Sequence, residues 1–200
     1  MRHRAKKRKF IVYLFLLIMF IAIPYLIISV NKAYYNDTKH GFSVKITNNW
    51  VCLSSLQMKK YYKSSSVGAS SSAQDFTIIF SAMKYREKYS VKNNMPNPNI
   101  IILFSKKTYD AKELVSSLSG EIVKTTDFKY DGGNETSDIG GLKWQSRYIS
   151  AEMNSLIVFQ DYYCASRNNG TYLIIATSFS NENLDEVYAL LTNINFNIQK

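Results

Sequence analysis

His40 and Cys52 are the residues of this 200-residue chain best equipped for nucleophilic chemistry. A thiolate beside an imidazole base can attack a carbonyl carbon. The chain has two histidines, His3 and His40, and two cysteines, Cys52 and Cys164. His40 stands just before an expected strand and Cys52 just after the turn that ends it. That spacing puts them at opposite ends of the strand, so a pair is not implied. A second group, Asp127, Asp131, Gly132, Asn134, Glu135 and Asp138, has the composition of a calcium loop. Its spacing fails, because Lys129 stands at the third ligand position, where an oxygen donor is needed. A strand end followed by a polar loop is the better reading, and no metal or cofactor is expected. A third group interleaves aromatic and basic residues: Lys59, Lys60, Tyr61, Tyr62 and Lys63, then Tyr85, Arg86, Lys88, Tyr89 and Lys92. Such stretches bind glycans, wall polymers, lipid headgroups or single-stranded nucleic acid. The plainer alternative is lysine stems lying beside half-buried tyrosines. An interaction surface is expected at Lys59, Lys60, Tyr61, Tyr62, Tyr85, Arg86, Lys88 and Tyr89. The chain carries no P-loop, zinc spacing, Ser-His-Asp set or dinucleotide fingerprint, so it reads as non-enzymatic.

The N-terminus dictates where these residues act. Phe10 to Val30 is an uncharged apolar run of 21 residues, interrupted at Pro24. A bilayer core of about 30 Å needs about 20 such residues in a helix. Arg2, Arg4, Lys6, Lys7, Arg8 and Lys9 precede the run, with no acid among them. Basic flanks stay on the cytoplasmic side. The sequence therefore predicts a cytoplasmic tail (1–9), a single transmembrane anchor (10–30), a polar connector (31–39) and an extracytoplasmic domain (40–200). A cleaved signal peptide would have a shorter apolar region and small residues at the cut; ISVNKAYY offers no such pair. The net charge of +10 mostly reflects the tail. Six of the 25 Lys and Arg lie there, leaving 19 against 15 acids, a net of +4. A charge of that size calls for no nucleic-acid partner. Both cysteines fall on the exterior side, where a Cys52–Cys164 disulfide can form, but two cysteines make no framework and two buried free thiols are the better reading.

The exterior segment alternates in the manner of strands. Phe42, Val44 and Ile46 alternate with Ser43, Lys45 and Thr47, the period of a half-buried strand. Asn48 and Asn49 make a turn, and Trp50 is an expected core anchor. A short helix is expected over 53–62 and a flexible serine-rich loop over 64–74. FTIIFSAM (76–83) and IIILFS (100–105) are apolar on both parities, as in strands covered on both faces. Asp110 and Glu113 signal a helix start and Gly120 its stop. A strand is expected over 121–130, another through Leu142, Trp144 and Tyr148, and a hairpin of 156–165 and 171–179 about Arg167–Gly170. Asn183 is the expected cap of a closing helix whose apolar stripe is Leu184, Val187, Tyr188, Leu191 and Ile194. The sum is an α+β domain: a mostly antiparallel sheet of about six strands flanked by helices, an α/β/α sandwich, preceded by one transmembrane helix.

Four pieces carry a family likeness: GFSVKITNNW, the NPNIIILF strand with the DAKELVSSL helix, the YLIIATSF strand, and the closing helix ending TNINF. Their order resembles the PsbP/Mog-like superfamily over roughly Gly41 to Phe196. That family includes photosystem extrinsic subunits and many bacterial envelope proteins. The resemblance implies an antiparallel sheet flanked by helices and a binding or accessory role. It brings no shared catalytic set. The expectation is a membrane-anchored, extracytoplasmic, non-enzymatic binding module of the bacterial cell envelope with a protein or envelope component as partner. The alternatives are an envelope-acting enzyme using His40, Cys52 or the 127–138 acids, and a secreted form released after the span.

Overall fold

Strands covered on both faces form the centre of the molecule. The computed structural model describes residues 34–47, 49–54, 56–58, 75–84, 97–153 and 156–196, all within one compact unit, Ala33–Lys200. The basic tail and the apolar run lie outside the described residues. Among those described, no helix is long and apolar enough to cross a membrane.

Eleven strands and two helices are formed by the described residues. The strands are β1 (Tyr34–Asp37), β2 (Phe42–Lys45), β3 (Trp50–Cys52), β4 (Thr77–Lys84), β5 (Asn99–Ser105), β6 (Lys129–Tyr130), β7 (Glu135–Ile139), β8 (Leu142–Met153), β9 (Leu156–Arg167), β10 (Gly170–Ser178) and β11 (Ile194–Asn195). The helices are α1 (Ala111–Thr125) and α2 (Asn181–Leu191). The large sheet runs β3-β4-β5-β10-β9-β8-β6, with β7 also on β8, and a small sheet runs β1-β2-β11. Every pairing is antiparallel. All nine residues of β10 are buried. Its apolar parities divide between two cores. Leu173 and Ile175 pack with Leu114, Val115 and Leu118 of α1. Tyr172, Ile174 and Ala176 pack with Val187, Leu190 and Leu191 of α2 and with Phe42, Val44 and Phe196 from the small sheet and its end. One helix therefore covers each face, as the expected sandwich requires. Each fully buried large side chain contributes about 1.5–3 kcal/mol. Trp50 is 2 % exposed and anchors the α2-side core, as expected.

Helix boundaries differ from the sequence reading. Asp110 does cap α1, accepting from the Glu113 amide at 2.8 Å. The helix then runs through Gly120 to Thr125 and takes in half of the expected 121–130 strand. Gly120 does not stop the helix. It leaves room for Tyr130, whose Oη would lie 3.1 Å from a Cβ at that position. Ser180, not Asn183, caps α2, accepting from the Asn183 amide at 3.2 Å. The buried stripe of α2 accordingly includes Asn183, Val187, Leu190 and Leu191, while Tyr188 stays exposed. Lys84 and Glu186 form an ion pair that ties α2 to β4. Residues 34–37, expected in the connector, form β1. In the expected 53–62 helix, the described helical residues are 56–58. The strand count exceeds six because β1, β3, β6, β7 and β11 have two to five residues each. Such lengths are too short to show a hydrophobic period.

Candidate binding cleft

His40 and Cys52 lie far apart, as their positions at opposite ends of a strand imply. Cys52 pairs with Ala82, which pairs with Ile100 at one end of β5. The His40 ring lies 5.0 Å from the ring of Phe104, four residues further along β5. That is about 13 Å of strand. His40 is instead bound locally, its Nδ1 2.7 Å from Asp37 Oδ2 and its carbonyl accepting from Tyr172 Oη at 2.6 Å. Burial pushes the Cys52 thiol up to about 11, away from the reactive thiolate. The Cys52–Cys164 disulfide does not form, and both thiols are free. β3 and β9 are four strand spacings apart, about 19 Å, against the roughly 6 Å between Cα atoms that a disulfide needs. The thiols also face opposite cores. Burial pushes Cys164 up to about 12. A thiol reagent should therefore label neither cysteine rapidly in the native protein and both after denaturation. Recovery of a Cys52–Cys164 cross-linked peptide would contradict the fold.

The loop acids are dispersed. Among the described residues no three metal-binding side chains converge. Asn134 Oδ1 accepts from Arg147 Nη1 at 3.0 Å, and Arg147 stacks 4.0 Å over the Tyr130 ring. The expected interaction surface, Lys59 to Tyr62 and Tyr85 to Tyr89, lies outside the described residues.

The described structure instead brings together a group that the sequence reading missed. Tyr148 on β8, Asp161 and Tyr163 on β9 and Tyr188 on α2 meet beside α2. On β9, Tyr163 and Ala165 point to the α2 side, and Asp161, two residues before Tyr163, shares that face. Tyr148 is the cross-strand partner of Asp161. The Tyr148 and Tyr163 rings meet edge-on at 6.0 Å. α2 leaves Tyr188 38 % exposed at the rim. These three tyrosines, with Ser137, Asp138, Ile139, Leu191 and Thr192, line an open cleft of about 270 Å³. Three hydroxyls form a triangle in its wall: Ser137 Oγ to Ser146 Oγ at 3.1 Å, Ser137 Oγ to Tyr148 Oη at 3.2 Å, and Tyr148 Oη to Ser146 Oγ at 3.1 Å.

Asp161 is 3 % exposed. Tyr163 Oη donates to it at 3.4 Å, and the Tyr188 phenol also donates. Burial pushes its carboxyl up to about 6, against the pull of those two donors, and the charge of Asp131 pushes the same way as burial. Burial and the Asp161 charge together raise Tyr163 and Tyr188. Among the described residues no lysine, arginine or histidine pairs with Asp161. A buried acid with a displaced pKa beside a cleft is a candidate functional site. The sequence held one signal for it. Asp161 interrupts LIVFQDYYCA, an otherwise apolar strand, and a charge in such a run is the informative exception. A second cleft of about 430 Å³ adjoins through Thr192 and is lined by Ser43, Lys45, Gly140, Asn193 and Asn195.

No family model and no curated protein matches the sequence. Among solved structures the chain is similar to LpqN, involved in cell envelope biogenesis of Mycobacterium tuberculosis. That match has 13 % identity and a TM-score of 0.49, over 77 % of this chain and 82 % of that one. It is also similar to CyanoP from Synechocystis sp. PCC 6803, with 13 % identity and a TM-score of 0.47, over 81 % of this chain and 90 % of that one. CyanoP is a PsbP. Similarity at this level transfers no ligand and no activity.

Proposed function

We propose that this protein is a membrane-anchored, extracytoplasmic binding module of the cell envelope, and that the tyrosine cleft beside α2 is its binding face. The observation that carries the location is the uncharged Phe10–Val30 run directly behind six basic residues. The start of the compact unit at Ala33, three residues after that run, supports it. Binding rather than catalysis is favoured by the cleft's make-up. It presents aromatic rings, hydroxyls and the single carboxylate of Asp138, while the cysteines lie elsewhere with thiols held in the neutral form. The partner is an envelope component or protein within reach of the membrane surface.

Fractionation tests this reading. The full-length protein should pellet with membranes, resist high salt and dissolve in maltoside detergent. In spheroplasts, added protease should remove a C-terminal tag and spare an N-terminal one. Recovery in the soluble cell fraction, or a protected C-terminus, would overturn the anchored topology. A shortened form in the medium would favour the secreted alternative.

A further inference from the structure

Among the described residues, Asp161 is a buried carboxyl without a cationic partner. Buried charges are ordinarily paired. The donors Asp161 has are the phenols of Tyr163 and Tyr188, and the charge that reaches it, from Asp131, is of its own sign. Among the described residues no lysine or arginine lines the cleft in front of it, and the one charged residue that does is Asp138. The wall between Asp161 and solvent is aromatic. A phenol that gives its proton to a carboxylate turns its remaining lone pairs, and its ring, toward whatever fills the cleft. Tyr148 Oη and Ser137 Oγ donate within their own triangle and keep acceptor capacity. Rings and acceptors around a buried negative charge are the chemistry that recognises an organic cation.

We infer that the cleft lined by Tyr148, Tyr163, Tyr188 and Ser137 binds a primary alkylammonium group, with Asp161 behind the phenols supplying the compensating charge. A primary ammonium fits better than a quaternary one, because the triangle offers oxygen acceptors for its N–H groups. A metal ion fits poorly, because the lining offers one carboxylate, Asp138, and otherwise hydroxyls and rings, fewer charged oxygen ligands than such an ion takes. The cleft, about 270 Å³, accommodates an amine with a short apolar stem lying against Ile139 and Leu191. This assignment rests on taking the cleft as the binding face.

The test is a titration of the full-length protein in maltoside detergent with butylammonium chloride, followed by tyrosine ring chemical shifts. The expected Kd is on the order of a millimolar for so small a ligand. Tetramethylammonium should bind several-fold more weakly, and n-butanol and sodium chloride should give no saturable shift. Tyr188→Ala should weaken butylammonium about tenfold; Tyr188 is exposed at the rim, so its loss should not unfold the domain. Tyr148→Phe, which removes one acceptor and keeps the ring, should weaken it about threefold. Lys112→Ala, on the exposed face of α1, should change nothing. Affinity should rise several-fold from pH 5 to pH 7.5 as Asp161 ionises. The groups facing Asp161 are Tyr163 on its own strand, Tyr148 on β8, Tyr188 on α2 and Asp131 before β7; Asp138 of β7 lines the cleft itself, and Asp138→Asn should keep the pH dependence while Asp161→Asn should lose it. Equal binding of butanol, tighter binding of tetramethylammonium, or no saturable shift would each overturn the ammonium assignment. Such a failure with membrane fractionation intact would leave the anchored topology standing, whereas a soluble protein that still bound butylammonium would reverse that outcome.

Discussion

Asp161→Asn should make the protein more stable at pH 7.5, by about 3 kcal/mol, and should remove a fall in stability between pH 4 and pH 7. The folded carboxyl titrates at about 6, raised from an ordinary 3.8 by burial. Each pKa unit is about 1.4 kcal/mol. Between those two values the folded state holds a proton that the unfolded state has released. Stability from this site is therefore complete below about pH 4 and is lost as pH rises through about 6. Asparagine avoids the cost of a buried charge and keeps an oxygen to accept from Tyr163 and Tyr188. Urea unfolding followed by the fluorescence of Trp50 and Trp144, at pH 5 and pH 7.5, gives both numbers. A variant less stable than wild type at pH 7.5 would mean that the carboxylate is a structural partner. A gain would mean that the protein carries the acid at a cost in stability, as sites retained for binding do.

Gly170→Ala should be the most damaging small substitution in the domain, costing more than about 3 kcal/mol or preventing folding. Gly170 opens β10 with φ at +139°, a region closed to residues with a side chain. A Cβ there would lie 2.1 Å from the Ser105 carbonyl oxygen and 2.8 Å from the Phe104 ring. Both contacts are to β5, the neighbour of β10 at the centre of the sheet, so relief would require moving the strand pair that carries both cores. Gly133→Ala is the control. A Cβ at Gly133 meets nothing within 4 Å, and its effect should stay within about 0.5 kcal/mol. The two urea midpoints, measured side by side, check this. Equal midpoints would contradict the β10–β5 register.

The parts of the fold that were legible in the sequence are those with long periods or strong end signals. β5, β9 and β10 are long apolar strands, and α1 opens on an Asp110 cap with its acceptor in place. The two-residue strands β6 and β11 carry no period and were not separable from loop. Gly120 was misread because glycine serves two purposes. It ends helices in the left-handed region, and it also lets another chain segment approach closely, as Tyr130 does here. The cleft was harder to see because its members come from separate elements. Tyr148, Asp161, Tyr163 and Tyr188 converge only through the β8–β9 register and the docking of α2. Tyr188 falls at the spacing of the apolar stripe, where a tyrosine looks like core; the helix buries Val187, Leu190 and Leu191 and leaves Tyr188 at the rim. The separation of His40 from Cys52 was legible, since the strand expected between them holds them at opposite ends.

The most direct measurement is a ¹³C NMR titration of the Asp161 side-chain carboxyl in the full-length protein in maltoside detergent, from pH 3 to pH 8, with and without excess butylammonium. A buried acid lacking its cation should titrate near pH 6, well apart from the exposed carboxyls, and should move to lower pH when the ammonium fills the cleft. An Asp161 that titrates with the exposed acids near pH 4, unmoved by butylammonium, would contradict both the buried charge and the site built around it.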